Sequence, residues 1–233
     1  MLESEIQRQL EAAPEWSHGV AGVRASEGRA ELLFLGKGTP PVQSDPLPLS
    51  WVPSGIARAR LHQVHGAAVV EAQPGECGEA DALVTSRAAL ALEIATADCV
   101  PVLLAGGNCV AAVHAGWRGI AAGVVPATAR RMGNAADLTA WIGPAIGPCC
   151  YEVGEDVAHA VAAASTHGVV RGGRRGRPHL DLQLAVETQL RAAGWSRVRV
   201  VRRCTACESD WLWSYRRDGP AAGRNLALIR LRG

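Results

Sequence analysis

The chain has 233 residues, 48% of them hydrophobic and 20% charged, an ordinary globular composition that excludes a wholly disordered polymer. Lysine and arginine number 24 against 22 acidic residues, so the net charge is +2, too small to mark a nucleic-acid or membrane partner. The length admits one large domain or two small ones and is enough to bury a sizeable core.

Met1–Leu10 carries Glu3 and Glu5 and lacks an apolar core, so no secretory leader is expected and the cytoplasm is the expected location. A strand pattern at Ala30–Leu35 is followed by residues 36–53, whose five prolines predict a long loop. Further strand patterns follow at Ala59–Val64, Ala67–Ala72, Ala82–Thr85, Leu90–Ala97, Pro101–Leu104, Cys109–His114 and Leu138–Ile142. Helical patterns occupy Gly119–Met132 (with Pro126 inside it), Gly154–Ala164 and Leu182–Ala193. Between the last two, residues 165–179 are rich in Gly and Arg and predict a second loop. Val198–Val201 and Leu226–Leu231 close the chain as strands. The mixture predicts a single α/β domain with a mixed β-sheet flanked by helices, in three α-β-α layers. No internal repeat, dinucleotide fingerprint, phosphate-binding Walker loop or H-E-x-x-H motif is present.

The stretch Glu93–Trp117, EIATADCVPVLLAGGNCVAAVHAGW, places two apolar runs around a Gly-Gly pair. A hairpin turning at Gly106–Gly107 would set Cys99 opposite His114 on one face, close enough to share one metal ion or to form a Cys–His dyad. The segment LHQVHG (61–66) offers a third ligand. On a strand, His62 and His65 point to opposite faces, and on a helix they would face together. Val64 and Gly66 favour a strand ending in a turn, hence His65, with Gln63 on the same face as a candidate substrate contact. Two imidazoles and a thiolate with an open position suit catalytic zinc, and copper accepts the same donors. Arg118 follows His114 at the start of a helix and is a candidate for holding an anion such as phosphate. Asp98 is a candidate general base if the strand breaks there, and otherwise orients a loop.

Two other places carry cysteines. Cys149 and Cys150 in WIGPAIGPCCY (141–151) are adjacent and should point apart, poor geometry for one zinc. Cys204–Cys207 is a C-x-x-C with no second such pair. In WLWSYRRD (211–218), Arg216 or Arg217 is a candidate for facing an anionic or stacked substrate.

Taken together, LHQVHG (61–66), ADALVT (80–85), TADCVPVLL (96–104), AAVHAGWRG (111–119), IGPAIGPCCYEVG (142–154), CT (204–205) and SYRRD with GR (214–218, 223–224) resemble, in order and spacing, the YfiH-type purine nucleoside phosphorylases. That family also carries the descriptions laccase-like polyphenol oxidase and peptidoglycan editing factor. The resemblance implies a zinc site of His65, Cys99 and His114. It also implies phosphorolysis of adenosine, inosine and methylthioadenosine to free base and a sugar 1-phosphate, with accompanying adenosine deamination. The partners it implies are a purine nucleoside and inorganic phosphate. The N-terminal part departs from the family pattern: AGVRASEG (21–28) and LFLGKG (33–38) stand where the family has FSTRxGGVS and LNLG. Three other readings share the same residues: a cysteine hydrolase using Cys99 and His114, a copper-dependent phenol oxidase, and a non-enzymatic metal-binding cell-wall factor.

Overall fold

The structure, a computed structural model, describes residues 15–17, 20–37, 56–133, 138–173 and 176–233. Its chain order is β1 (Glu15–Ser17), β2 (Val20–Glu27), β3 (Ala30–Leu35), β4 (Ala57–His62), β5 (Val69–Glu71), β6 (Gly75–Glu79), β7 (Ala82–Thr85), β8 (Leu90–Thr96), β9 (Val100–Gly106) and β10 (Cys109–Ala115). There follow α1 (Trp117–Ala121), α2 (Val124–Met132), β11 (Thr139–Ile142), α3 (Glu155–Ala163), β12 (Val170–Gly172), β13 (Pro178–Leu180), α4 (Leu182–Ala192), β14 (Arg197–Val200), α5 (Tyr215–Asp218) and β15 (Asn225–Leu231).

The strands make two mixed sheets, ordered β1-β2-β3-β15-β8-β4-β6 and β14-β11-β9-β10-β7-β5. Every residue of β9 is buried, and so are six of the seven in β10. That two-sided burial explains why these strands read as continuous apolar runs rather than alternating ones. One face of the second sheet gives Leu83, Leu103, Ala112 and Trp141 to a core shared with Leu32, Phe34, Leu92 and Ile229 of the first. The opposite face gives Val102, Val113 and Ile142 to a core completed by Val124, Val125, Val186 and Leu190 of the helices.

The α/β reading, with mixed sheet flanked by helices in one domain, therefore holds. Among the described residues the two sheets pack face to face, and the helices cover the far side of the second. β8 and β15 turn Leu92, Ile94, Ala227 and Ile229 toward the shared core, and their other face, with Ala91, Glu93, Leu226 and Leu228, is buried as well.

Local chemistry accounts for the smaller departures. The expected helix 119–132 is two helices, because Gly123 takes a left-handed conformation (φ 81°) between α1 and α2. Pro126 then falls in the first turn of α2, where no intrahelical N–H is needed. The Asp181 carboxylate caps α4 by accepting the Leu184 N–H at 2.9 Å. The expected loop 165–179 contains a short antiparallel ribbon, β12 against β13. The proline-rich loop 36–53 lies outside the described residues apart from Gly36 and Lys37. Among the described residues no helix is long and apolar enough to cross a membrane.

Candidate metal centre

The hairpin β9–β10 turns at Gly107–Asn108, not at Gly106–Gly107. Gly107 has φ 58° and Asn108 is not in the positive-φ region, the φ pattern of a type II′ turn. His114 consequently pairs with Pro101 instead of Cys99. A shift of two residues keeps every side chain on its face, so Cys99 and His114 still converge. The same count puts Gly116 across from Cys99, where a Cβ would lie 3.0 Å from Cys99 Sγ and 3.0 Å from His65 Cδ2. A glycine is what leaves room for both ligands.

His65 arrives from the turn that ends β4. Its backbone is left-handed (φ 62°), a conformation that costs a non-glycine residue about 1–2 kcal/mol. The buried Asp81, immediately before β7, supports it: Asp81 Oδ1 accepts the His65 N–H at 2.9 Å and Oδ2 accepts the Gly66 N–H at 2.6 Å. Oδ1 also lies 2.7 Å from His114 Nδ1. A carboxylate can only accept, so Nδ1 carries a proton, which leaves Nε2 as the ring nitrogen available to Cys99 or to a metal ion. The two imidazole centroids are 4.7 Å apart at 80°, and the ligand atoms of His65, Cys99 and His114 all lie within 4.8 Å of one another. His114 is buried and His65 exposed, so the cluster opens to solvent on one side. The three predicted ligands are thus brought together; His62 is not among them.

The electrostatics of the cluster are those of a thiolate held between two imidazoles. Burial pushes the Cys99 thiol up, but hydrogen bonds from His114 and His65 outweigh it and bring the pKa down to about 7. Burial pushes His114 down, but the Asp81 and Cys99 contacts outweigh it and raise it to about 9. For Asp81 itself, the bonds from His114, Gly66 and His65 overcome burial and hold the carboxyl below the usual carboxylate range.

The other expected site residues are placed as follows. Asp98 sits where the strand breaks, with φ 95°. Its Oδ1 accepts the Thr205 hydroxyl at 2.6 Å and its Oδ2 accepts the Arg216 N–H at 2.6 Å. Both oxygens thus join two loops, the orienting role that was the other expectation for Asp98. Gln63 is bonded to backbone. Its amide donates to Ala95 O at 2.8 Å and accepts from Ala95 N at 2.9 Å, extending the β4–β8 pairing by one side-chain rung. Arg118 is exposed on α1, 4.5 Å above the Trp117 ring. Arg216 is also exposed, 5.1 Å from the Tyr151 ring, with Nη1 donating to Glu152 O at 3.0 Å. Arg217 is held instead by the carbonyls of Thr205, Ala206 and Leu212 and by Asp218. Tyr151 feels the charges of Cys99, Arg216 and Arg118, and burial together with the Cys99 charge pushes its phenol up to about 12.

Four participants escaped the sequence reading: Asp81, Gly116, Tyr151 and Thr205. An acid set inside the apolar run ADALV was the one available signal for Asp81. The cysteine pairs, expected to be poor ligands for one zinc, come together. Residues 148–150 form a turn, in which adjacent side chains need not point apart. Both meet Cys204 and Cys207, and all four sulfurs lie within 4.8 Å of one another.

The model of a family described as multi-copper polyphenol oxidoreductase laccase matches residues 53–232. A purine nucleoside phosphorylase of Deinococcus radiodurans is 44% identical over 179 residues, which cover 74% of this chain and 70% of that one. The purine nucleoside phosphorylase YfiH of Escherichia coli K12 is 36% identical over 177 residues, 73% of this chain and 72% of that one. A Neisseria meningitidis protein of known crystal structure superimposes with a TM-score of 0.77 at 30% identity, covering 95% of this chain and 99% of that one. With the His65, Cys99 and His114 cluster built on the same fold, the chain belongs to the YfiH-type purine nucleoside phosphorylase family, the family whose model carries the laccase description.

Proposed function

We propose that the protein is a zinc-dependent purine nucleoside phosphorylase, with adenosine deamination as an accompanying activity. The observation that carries this reading is the convergence of His65, Cys99 and His114 around a space that Gly116 keeps clear. The donors suit the ion: one thiolate of low pKa, and one imidazole whose other nitrogen is bonded to a carboxylate. When bound, the cation supplies a Lewis acid and lowers the pKa of a coordinated water toward about 7.

The rest of the work falls to the chain. Arg118 and Arg216, both exposed and both near Tyr151, hold inorganic phosphate by paired N–H donors. The Tyr151 phenol stays protonated at neutral pH and donates a hydrogen bond to substrate. In phosphorolysis a phosphate oxygen bonds to the ribose C1′ as the bond from C1′ to the purine nitrogen breaks, and the electron pair leaves with the base. Negative charge held beside C1′ stabilises the cationic sugar of the transition state. Asp98 is a positioning residue, since it fixes the backbone of Arg216. Gln63 keeps the end of β4, and with it the turn carrying His65, against β8.

A specific observation favours one second reading. A Cys99 pKa of about 7 beside a His114 pKa of about 9 describes a thiolate–imidazolium pair, the resting state of a cysteine hydrolase. The copper phenol oxidase is disfavoured by the donors. Among the described residues the only other cluster of possible ligands is four cysteines without histidine, which is no multi-copper oxidase site.

The deciding experiment incubates zinc-replete protein with inosine or adenosine, with and without phosphate. Free base and ribose 1-phosphate should form in equal amounts only when phosphate is present, and inosine formed from adenosine without phosphate reports deamination. His65→Ala should abolish both. No phosphate-dependent release of base would refute the phosphorylase. Turnover that survives stripping of the metal, together with covalent trapping of Cys99, would establish the hydrolase instead.

A further inference from the structure

We propose that Cys149, Cys150, Cys204 and Cys207 form a second metal centre, a four-thiolate structural site for zinc that pins together the two loops flanking the His65, Cys99 and His114 cluster. The pairs come from distant parts of the chain, the loop after β11 and the loop after β14. Each pair sits on a tight turn. Cys150 N donates to Gly147 O at 3.0 Å, and Cys207 N donates to Cys204 O at 3.1 Å. A bridge between Ala145 and Cys204 sets the two turns side by side.

The sulfur geometry is that of a coordination shell. Zinc–sulfur bonds of about 2.3 Å arranged as a tetrahedron put the sulfurs about 3.8 Å apart. Cys207 Sγ is 3.6 Å from Cys149 Sγ and 3.4 Å from Cys150 Sγ, and no pair among the four exceeds 4.8 Å. Cys207 is nearly equidistant from two neighbours, so no single disulfide partner is selected, and any one disulfide would leave two thiols crowded against it. The surroundings are those of bound thiolate. Gly147 N–H donates to Cys204 Sγ at 3.2 Å, and a Cβ on Gly147 would press to 3.3 Å from Cys149 Sγ. Four thiolates and one divalent cation carry a net charge of −2, and the Arg217 guanidinium lies next to the cluster, bonded to the carbonyls of Thr205 and Ala206. Cys149 and Cys207 are exposed, so a cation can enter from solvent.

The placement gives the site its role. Tyr151 directly follows Cys150, and Thr205, which binds Asp98, directly follows Cys204. Closing this shell fixes Tyr151 on one loop relative to Thr205 on the other, and through Thr205 relative to Asp98 and the Arg216 backbone it holds. This site stands whether or not the reaction proposed above does.

The test uses the whole 233-residue chain and zinc alone. Wild type purified under reducing conditions should hold a second equivalent of zinc beyond the first. His65→Ala/Cys99→Ala, which dismantles the catalytic cluster, should keep one equivalent, and Cys204→Ser/Cys207→Ser should also keep one. In His65→Ala/Cys99→Ala, zinc should slow alkylation of all four cysteines together, by about tenfold or more. Its cobalt(II) form should show the intense charge-transfer absorption of several thiolates. These two measurements do not depend on the serine variant folding. A His65→Ala/Cys99→Ala protein that takes up no zinc, or whose four cysteines react equally fast with and without it, overturns the proposal. So does a disulfide among the four that persists under reductant and zinc. None of these outcomes depends on nucleoside turnover, so failure here is distinguishable from failure of the phosphorylase reading.

Discussion

Asp81→Asn separates the support of the metal centre from its ligands. Asp81 accepts three bonds, from His65 N, His114 Nδ1 and Gly66 N, and it is fully buried. Asparagine keeps the shape but replaces one acceptor with a donor. The cheaper orientation leaves the amide oxygen on His65 and His114 and turns the NH2 against the Gly66 N–H, where donor now meets donor. One buried N–H left without a partner costs about 1–3 kcal/mol of folding stability. The metal feels a different loss. A neutral amide holds the His114 Nδ1 proton less firmly than a carboxylate, so the ring is less well oriented and its Nε2 less basic. Losing such a partner typically weakens metal affinity by about 10–100-fold, equivalent to about 1.4–2.8 kcal/mol. Competition for zinc against a chromophoric chelator reads this directly. Activity in saturating zinc should return to within a few-fold of wild type, because all three ligands remain. A zinc Kd within about twofold of wild type would refute the view that Asp81 orients the site.

Three further outcomes follow from the same geometry. Gly116→Ala places a methyl 3.0 Å from both Cys99 Sγ and His65 Cδ2, so the zinc content of the purified protein should fall while its fold, read by circular dichroism, is kept. Thr205→Val removes the hydroxyl bonded to Asp98 Oδ1 and should cost about 1–3 kcal/mol in denaturant unfolding; if Asp98 positions Arg216, KM for phosphate should rise more than kcat falls. In chelator-stripped protein, Cys99 alkylation should increase as pH rises through about 7, and zinc should suppress it. The linked stability has a definite sign: a thiol pKa lowered from 9.0 to about 7 stabilises the stripped fold fully above pH 9, and the contribution is lost as pH falls through 7. An alkylation midpoint at the ordinary thiol value would show that His114 and His65 do not stabilise the thiolate.

Much of this was legible because it depends on face rather than on register. The alternation of β10 puts His114 on one side whichever glycines form the turn, so a register shifted by two residues left the ligand set unchanged. Strands with apolar runs were visible for the same reason, whereas β6, GECGE, has no apolar pattern to read and is held by pairing to β4. What could not be read depends on contacts distant in sequence. Asp98 and Thr205 meet across 107 positions, and nothing local to either announces the other. The sheet–sheet layering has the same origin, since β15 inserts between β3 and β8 from the far end of the chain. The four cysteines failed for a local reason: alternation was applied to a segment that turns.

Among the described residues, only His65 and Asp98 adopt positive φ without being glycine. For His65 this sets folding against purpose. The side chain is exposed, and the bond its N–H makes to Asp81 would survive in any residue but proline. Asparagine or glycine there should raise the unfolding free energy of stripped protein by up to about 1 kcal/mol, while removing a ligand. The imidazole is therefore a concession that the scaffold makes to its chemistry, and a descendant released from that chemistry would be expected to relax first at this turn.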